Sequence, residues 1–137
     1  MTAMTLAELE AARRQEDLEQ LLILWHGWQR AVKVTKGHGG MSAVTGERYR
    51  VSRQYDDVTG VLDDDLDRKR CGRVEYHVQR LGEPHRSAIY VLARNLTTGR
   101  SVWVSPRLPA DAAERDRIVD EARHQLLVWL VADGVIT

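Results

Sequence analysis

The chain has 137 residues, 20 basic and 20 acidic side chains that cancel to zero formal charge, one cysteine and no phenylalanine. This length supports one modest core, and no proline-rich or serine-rich linker divides it, so a single domain over residues 1–137 is expected. There is no apolar run long enough to span a bilayer, no basic-then-apolar leader, and no second cysteine to pair with Cys71; a protein of a reducing interior without a membrane partner follows.

Zero net charge conceals a segregation along the chain. Residues 25–54 hold six bases against one acid, and residues 66–107 hold nine against three. Residues 55–65 carry five acids and no base, while 1–24 and 108–137 are each net −3. Left unmixed by folding, these blocks give basic and acidic faces that steer partners. Interleaved by folding, they cancel.

Thr5 followed by Glu8 is a capping-box pattern. Leu6, Leu9, Leu18, Leu21, Leu22, Trp25, Trp28 and Val32 then trace a helical face, densest after Asp17, which predicts a long first helix over 5–34. Trp25 and Trp28, three residues apart, read as core anchors or as an aromatic ledge facing a partner.

Residues 35–60 have no sustained period and contain Gly37, Gly39, Gly40, Gly46 and Gly60, which predicts a long irregular loop. Arg48, Arg50 and Arg53 alternate there with Tyr49, Val51 and Tyr55. That pattern suits contact with nucleic acid or with a polymerase, or else a short strand. The aspartates 56, 57, 63, 64, 65 and 67 lack the alternation of a calcium loop. They are expected to cap and charge the N-terminus of a helix running from about Asp64 to Leu81.

Cys71, Val74, Val78 and Leu81 fall on one face of that helix, and Gly82 suits its stop. Pro84 opens a second helix whose stripe is Ala88, Ile89, Leu92, Ala93 and Leu96. Two helices joined by so tight a turn form a corner that needs a third element to bury both stripes. Arg70, Arg73, Arg86, Arg94, Arg100 and Arg107 surround it, as candidate DNA contacts. Thr97 to Arg100 reads as a turn, followed by an extended piece in which Trp103 wedges against the core. Asp111 and Glu114 form a second capping box. A final long helix follows, with Ile118, Val119, Ala122, Leu126, Trp129 and Leu130 inward and Gly134 as its stop. The expected fold class is all-α, with residues 64–137 forming a helical module.

No nucleophile motif, phosphate-binding glycine loop or metalloprotease helix is present. Cys71, His77 and His85 lack a recognised ligand spacing, so neither a metal nor another cofactor is expected. A nuclease built on His38 and the aspartates would need a second pair of helix-borne acids. An enzyme is not expected.

The central stretch, through Val74, Val78, Leu81, Pro84, Arg86, Ile89 and Tyr90, resembles the opening half of region 4 of bacterial sigma factors. Trp25-His-Gly-Trp28-Gln-Arg30 resembles a signature of the Q-type late-gene antiterminators of lambdoid bacteriophages, in the phage-21-like branch with a sigma-like fold. The ending Ala122-Arg-x-Gln-Leu-Leu, with Leu130 and Gly134-Val-Ile136, is similar to short phage proteins of the same neighbourhood. The resemblance spans about 18–136. It departs where sigma region 4 would show a compact helix-turn-helix: residues 97–109 and one long helix stand there instead, so that either the first helix of the motif is degenerate, in the Trp103 segment, or the DNA-reading surface is built differently. The resemblance implies a DNA-binding protein in the cytoplasm of a bacterial host. Its further partners would be host RNA polymerase (core enzyme, with sigma factor as a candidate) and nascent RNA, and it would let the elongation complex read through terminators at the RNA exit channel. The alternatives are a regulator of initiation and a protein-only inhibitor using its acidic residues as a nucleic-acid mimic.

Overall fold

The computed structural model describes residues 3–37 and 58–137, with side chains over 3–32 and 64–137. Four helices make it up: α1 (Leu6–Gly37), α2 (Val58–Leu81), α3 (His85–Thr98) and α4 (Ala112–Ala132). There is no strand among the described residues, so the architecture is all-α as expected.

Each helix begins and ends for local reasons. At the start of α1 the capping box is closed in both directions. The Glu8 amide donates to Thr5 Oγ1 at 3.2 Å and the Thr5 amide to Glu8 Oε2 at 3.0 Å. Leu6 and Leu9 nevertheless stay exposed, and burial on α1 begins with Leu18, Leu21, Leu22 and Trp25. The first two turns of this helix of about 48 Å extend past the bundle.

Two expected boundaries move. α1 continues through Gly37 and α2 starts at Val58, so residues 35–37 and 58–60 are helical rather than loop. Asp64, Asp65 and Asp67 therefore lie beyond the first turn of α2 and do not cap it, while Asp56 and Asp57 lie outside the described residues. Asp67 instead lies 3.7 Å from Arg70 one turn on. The Gly60 that suggested a break is a helical residue, a tolerated cost rather than a stop.

α2 ends at Gly82, whose φ of 71° is open to glycine at little cost. Pro84 precedes α3 and its carbonyl accepts from the Ala88 amide at 3.1 Å. Asp111 caps α4 by accepting from the Glu114 amide at 3.0 Å. That helix closes in a Schellman pattern: Gly134 (φ 77°) donates to the Val131 carbonyl and Val135 to that of Leu130, each at 3.0 Å.

α3 is the hub. Its contacts with α1 and with α4 are the two most extensive in the molecule. Half of its residues are buried: Ser87, Ala88, Ile89, Val91, Leu92, Ala93 and Asn95. Around it pack Trp25, Val74, Val78, Ala122, Leu126 and Leu130, all fully enclosed. Trp103 is half-buried against this core, as the wedge reading required.

Ile89→Ala should cost about 2–5 kcal/mol, because the cavity opens where four helices meet. Gly72→Ala should go the other way. A Cβ at Gly72, inside α2, meets nothing within 4 Å, so removing glycine's backbone entropy should raise stability by about 0.5–1 kcal/mol. Urea unfolding of both variants checks the pair.

Candidate nucleic-acid interface

Beyond Gly99, with its φ of 71°, the chain turns back along α3. Two contacts fix its direction. Near the end of α3, the Val102 amide donates to Asn95 Oδ1 at 3.2 Å and Arg94 Nη2 donates to the Val102 carbonyl at 2.9 Å. Near the start of the helix, Arg107 Nη1 lies 3.1 Å from Glu83 Oε1. Residues 100–108 thus form a strap running antiparallel to α3, anchored inward by Leu108. Trp103 donates its indole N–H to Ser101 Oγ at 3.1 Å, and the Arg115 guanidinium lies over its ring.

Four of the candidate arginines line this α3–strap ridge, about 21 Å long: Arg86 and Arg107 at one end, Arg94 and Arg100 at the other. Arg86 and Arg107 both reach Glu83 Oε1. Burial, the largest single influence, pushes the Glu83 carboxyl up. Hydrogen bonds from Ser87, Arg86 and Arg107 outweigh it and hold the carboxyl below the ordinary 4.5. Arg94 bonds a carbonyl and not a carboxylate. Arg100 is exposed, with no ion pair or side-chain hydrogen bond among the described residues.

Arg70 and Arg73 lie apart from the ridge, on α2. Arg73 makes a 2.8 Å ion pair with Asp133 at the C-terminus of α4. The same carboxylate oxygen lies 2.6 Å from Nε2 of His77, which is only 2% exposed and stacks on Trp129. Arg80 donates to the other ring nitrogen of His77 at 3.2 Å, and its guanidinium lies 4.1 Å over the Trp129 ring. An aspartate at a helix C-terminus opposes the dipole there. Here the hydrogen bond from His77, and then Arg73, hold its carboxyl below the ordinary 3.8.

Trp25 faces no partner. It is fully buried, its indole N–H donating to Glu75 Oε2 at 2.8 Å and its ring 5.3 Å from Tyr90. Trp28 is half-buried on the core and borders a shallow groove with Leu24, Asp67, Arg68 and Cys71. Arg48, Tyr49, Arg50 and Arg53 lie outside the described residues, as does His38.

The charge blocks are interleaved in part. Arg73 is matched by Asp133 and His85 by Glu121, whereas Lys69, Arg80, Arg94 and Arg100 have no carboxylate within ion-pair distance among the described residues. From sequence, Arg80 stands among the basic residues around the corner but outside the candidate DNA contacts, and Lys69 is not singled out. Their signal was their spacing on α2 with Tyr76, which is 52% exposed.

No group of three or more His, Cys, Asp or Glu is placed to hold a metal among the described residues. Burial, then Asp67, pushes the Cys71 thiol up to about 11, which makes it a poor nucleophile. No described helix is long and apolar enough to cross a membrane. No family model matches the chain, and no curated protein or solved structure matches it either.

The Asp133 lock has a pH signature. A depressed carboxyl contributes stability above its unfolded value near 3.8, and that contribution is lost as pH falls through the lower folded value. Asp133→Asn should therefore melt below the native protein at neutral pH. The gap should close as pH is lowered through and below 3.8, a trend readable by thermal melts across a pH series.

Proposed function

We propose that the protein is a phage transcription antitermination factor that binds DNA and RNA polymerase and lets the elongation complex read through terminators, acting at the RNA exit channel. The observation that carries the nucleic-acid half is the α3–strap ridge. It sets four guanidinium groups along about 21 Å, with Arg94 and Arg100 unmatched by any carboxylate among the described residues. The transcriptional half rests on the resemblance of 25–30 and 74–90 to the antiterminator and sigma patterns. It calls for no catalytic residue.

In this reading the corner of α2 and α3 is the sigma region 4-like element, in degenerate form. A recognition helix lays a free face in the major groove, but half of α3 is buried. DNA contact is therefore assigned to phosphates, through Arg86, Arg94, Arg100 and Arg107, rather than to base edges. The polymerase would meet the remaining surface.

The test is transcription in vitro through an intrinsic terminator on a late-promoter template. The native protein should raise read-through only when promoter-proximal DNA is present. Arg100→Ala, which loses no ion pair or side-chain hydrogen bond among the described residues, should weaken duplex binding and lower the slope of log affinity against log salt by about 0.9. Adding Arg94→Ala should about double that slope change and abolish read-through. Shut-off at initiation would instead favour an initiation regulator or an inhibitor, and no effect on either would overturn the transcriptional reading.

A further inference from the structure

The solvent face of α2 lies away from the ridge and is built differently. Lys69, Arg73, Tyr76 and Arg80 recur at spacings of four, three and four, one stripe about 16 Å long. Tyr76 is the centre. Its ring stays 52% exposed while the Arg73 guanidinium lies 4.9 Å from its centroid and that of Arg80 5.5 Å. Arg80 is in turn stacked on Trp129, so aromatic and guanidinium groups form successive tiers. Arg73 is neutralised by Asp133, but Lys69 and Arg80 keep their charge uncompensated by any carboxylate within ion-pair distance among the described residues.

One further residue points the same way. The Tyr76 ring keeps to the side of Arg73, Arg80 and His77, whose ring centroid is 5.1 Å from its own, and Gly72 lies one turn back on the other side. Gly72 leaves that turn without a side chain, and a Cβ there would meet nothing within 4 Å. A glycine inside a helix weakens it, and packing gives this one no reason. What it provides is an open slot one turn before the tyrosine, on the side away from both arginines.

We infer that this face binds single-stranded nucleic acid, an unpaired base entering the slot one turn before Tyr76 while Lys69 and Arg80 hold the flanking phosphates. The inference shares with the proposed function only the premise that the protein binds nucleic acid, and it uses none of the ridge. A duplex fits the face poorly, because its bases are stacked on one another and present only edges and phosphates. An unpaired base offers the π-face that an aromatic ring and a guanidinium plane both take. Any acidic surface would satisfy the two cations, but not the slot.

Fluorescence anisotropy with labelled mixed-sequence single-stranded RNA and DNA, and with the matching duplex, tests it. On this face single strands should bind with Tyr76→Ala weakening them about fivefold or more, and Tyr76→Phe restoring them. Gly72→Gln should also weaken single-strand binding, although it should melt no lower than the native protein, which separates the slot from folding. Lys69→Ala should reduce the single-strand salt slope by about 0.7. A native protein that binds single strands but neither binds the duplex nor raises read-through would count against the ridge and not against this face. The inference is overturned if single strands do not bind, if Tyr76→Ala or Gly72→Gln binds them as the native protein does, or if polyglutamate competes as well as an oligonucleotide.

Discussion

Burial of α3 is the constraint on which the rest of the molecule depends. A helix of 14 residues is too short to be stable alone, and this one is enclosed by α1 on one side and α4 on another. Its apolar surface extends beyond one stripe to include Val91, and it carries Ser87 and Asn95 inward as well. Ser87 donates to Glu83 beside the turn, and Asn95 accepts from the strap through its oxygen while its Nδ2 has no hydrogen-bond partner among the described residues. With its flanks covered, the helix can offer a partner only its rim and the strap lying on it. The arginines are displayed there because the rim is the part of the hub that remains wet.

A second set of interactions closes the bundle from the other side. The C-terminus of α4 would be a poor place for a carboxylate, yet Asp133 joins α2 to α4 through His77 and Arg73. Both nitrogens of the buried His77 ring are engaged, one by Asp133 and one by Arg80. This polar joint removes Arg73 from the pool of free cations and fixes Arg80 flat on Trp129. Along α2, Arg73 is thus committed to the fold, while Lys69 keeps its charge without an ion pair among the described residues.

Much of this was legible in the sequence because it is local. Both capping boxes, the stops at Gly82 and Gly134, and the buried stripes from Leu18 to Trp25 and from Ile118 to Leu130 depend on residues a few positions apart. The start of α2 was misplaced because Gly60, Asp63, Asp64 and Asp65 are loop-forming by local preference, and the helix runs through them regardless. Leu6 and Leu9 continue the apolar period of α1, but the partner helices end before reaching them. Burial of Trp25 and the strap geometry are tertiary facts. The same tryptophan spacing serves a ledge or a core, and only the position of Glu75 and Tyr90 decides for the core. Tyr76 was overlooked for a related reason: a lone exposed tyrosine is unremarkable until Gly72 and the flanking arginines are seen on its face.

The account stands or falls on whether the ridge and the outer face of α2 are where nucleic acid sits. The direct measurement is a map of amide chemical-shift changes by NMR as single-stranded and then duplex DNA are added to the intact protein. Single strands should perturb amides around Gly72, Tyr76 and Arg80, duplex those around Arg94 to Arg107, with the first two turns of α1 unmoved in both. Perturbations confined to α1, or spread evenly with no preference for either arginine surface, would contradict it.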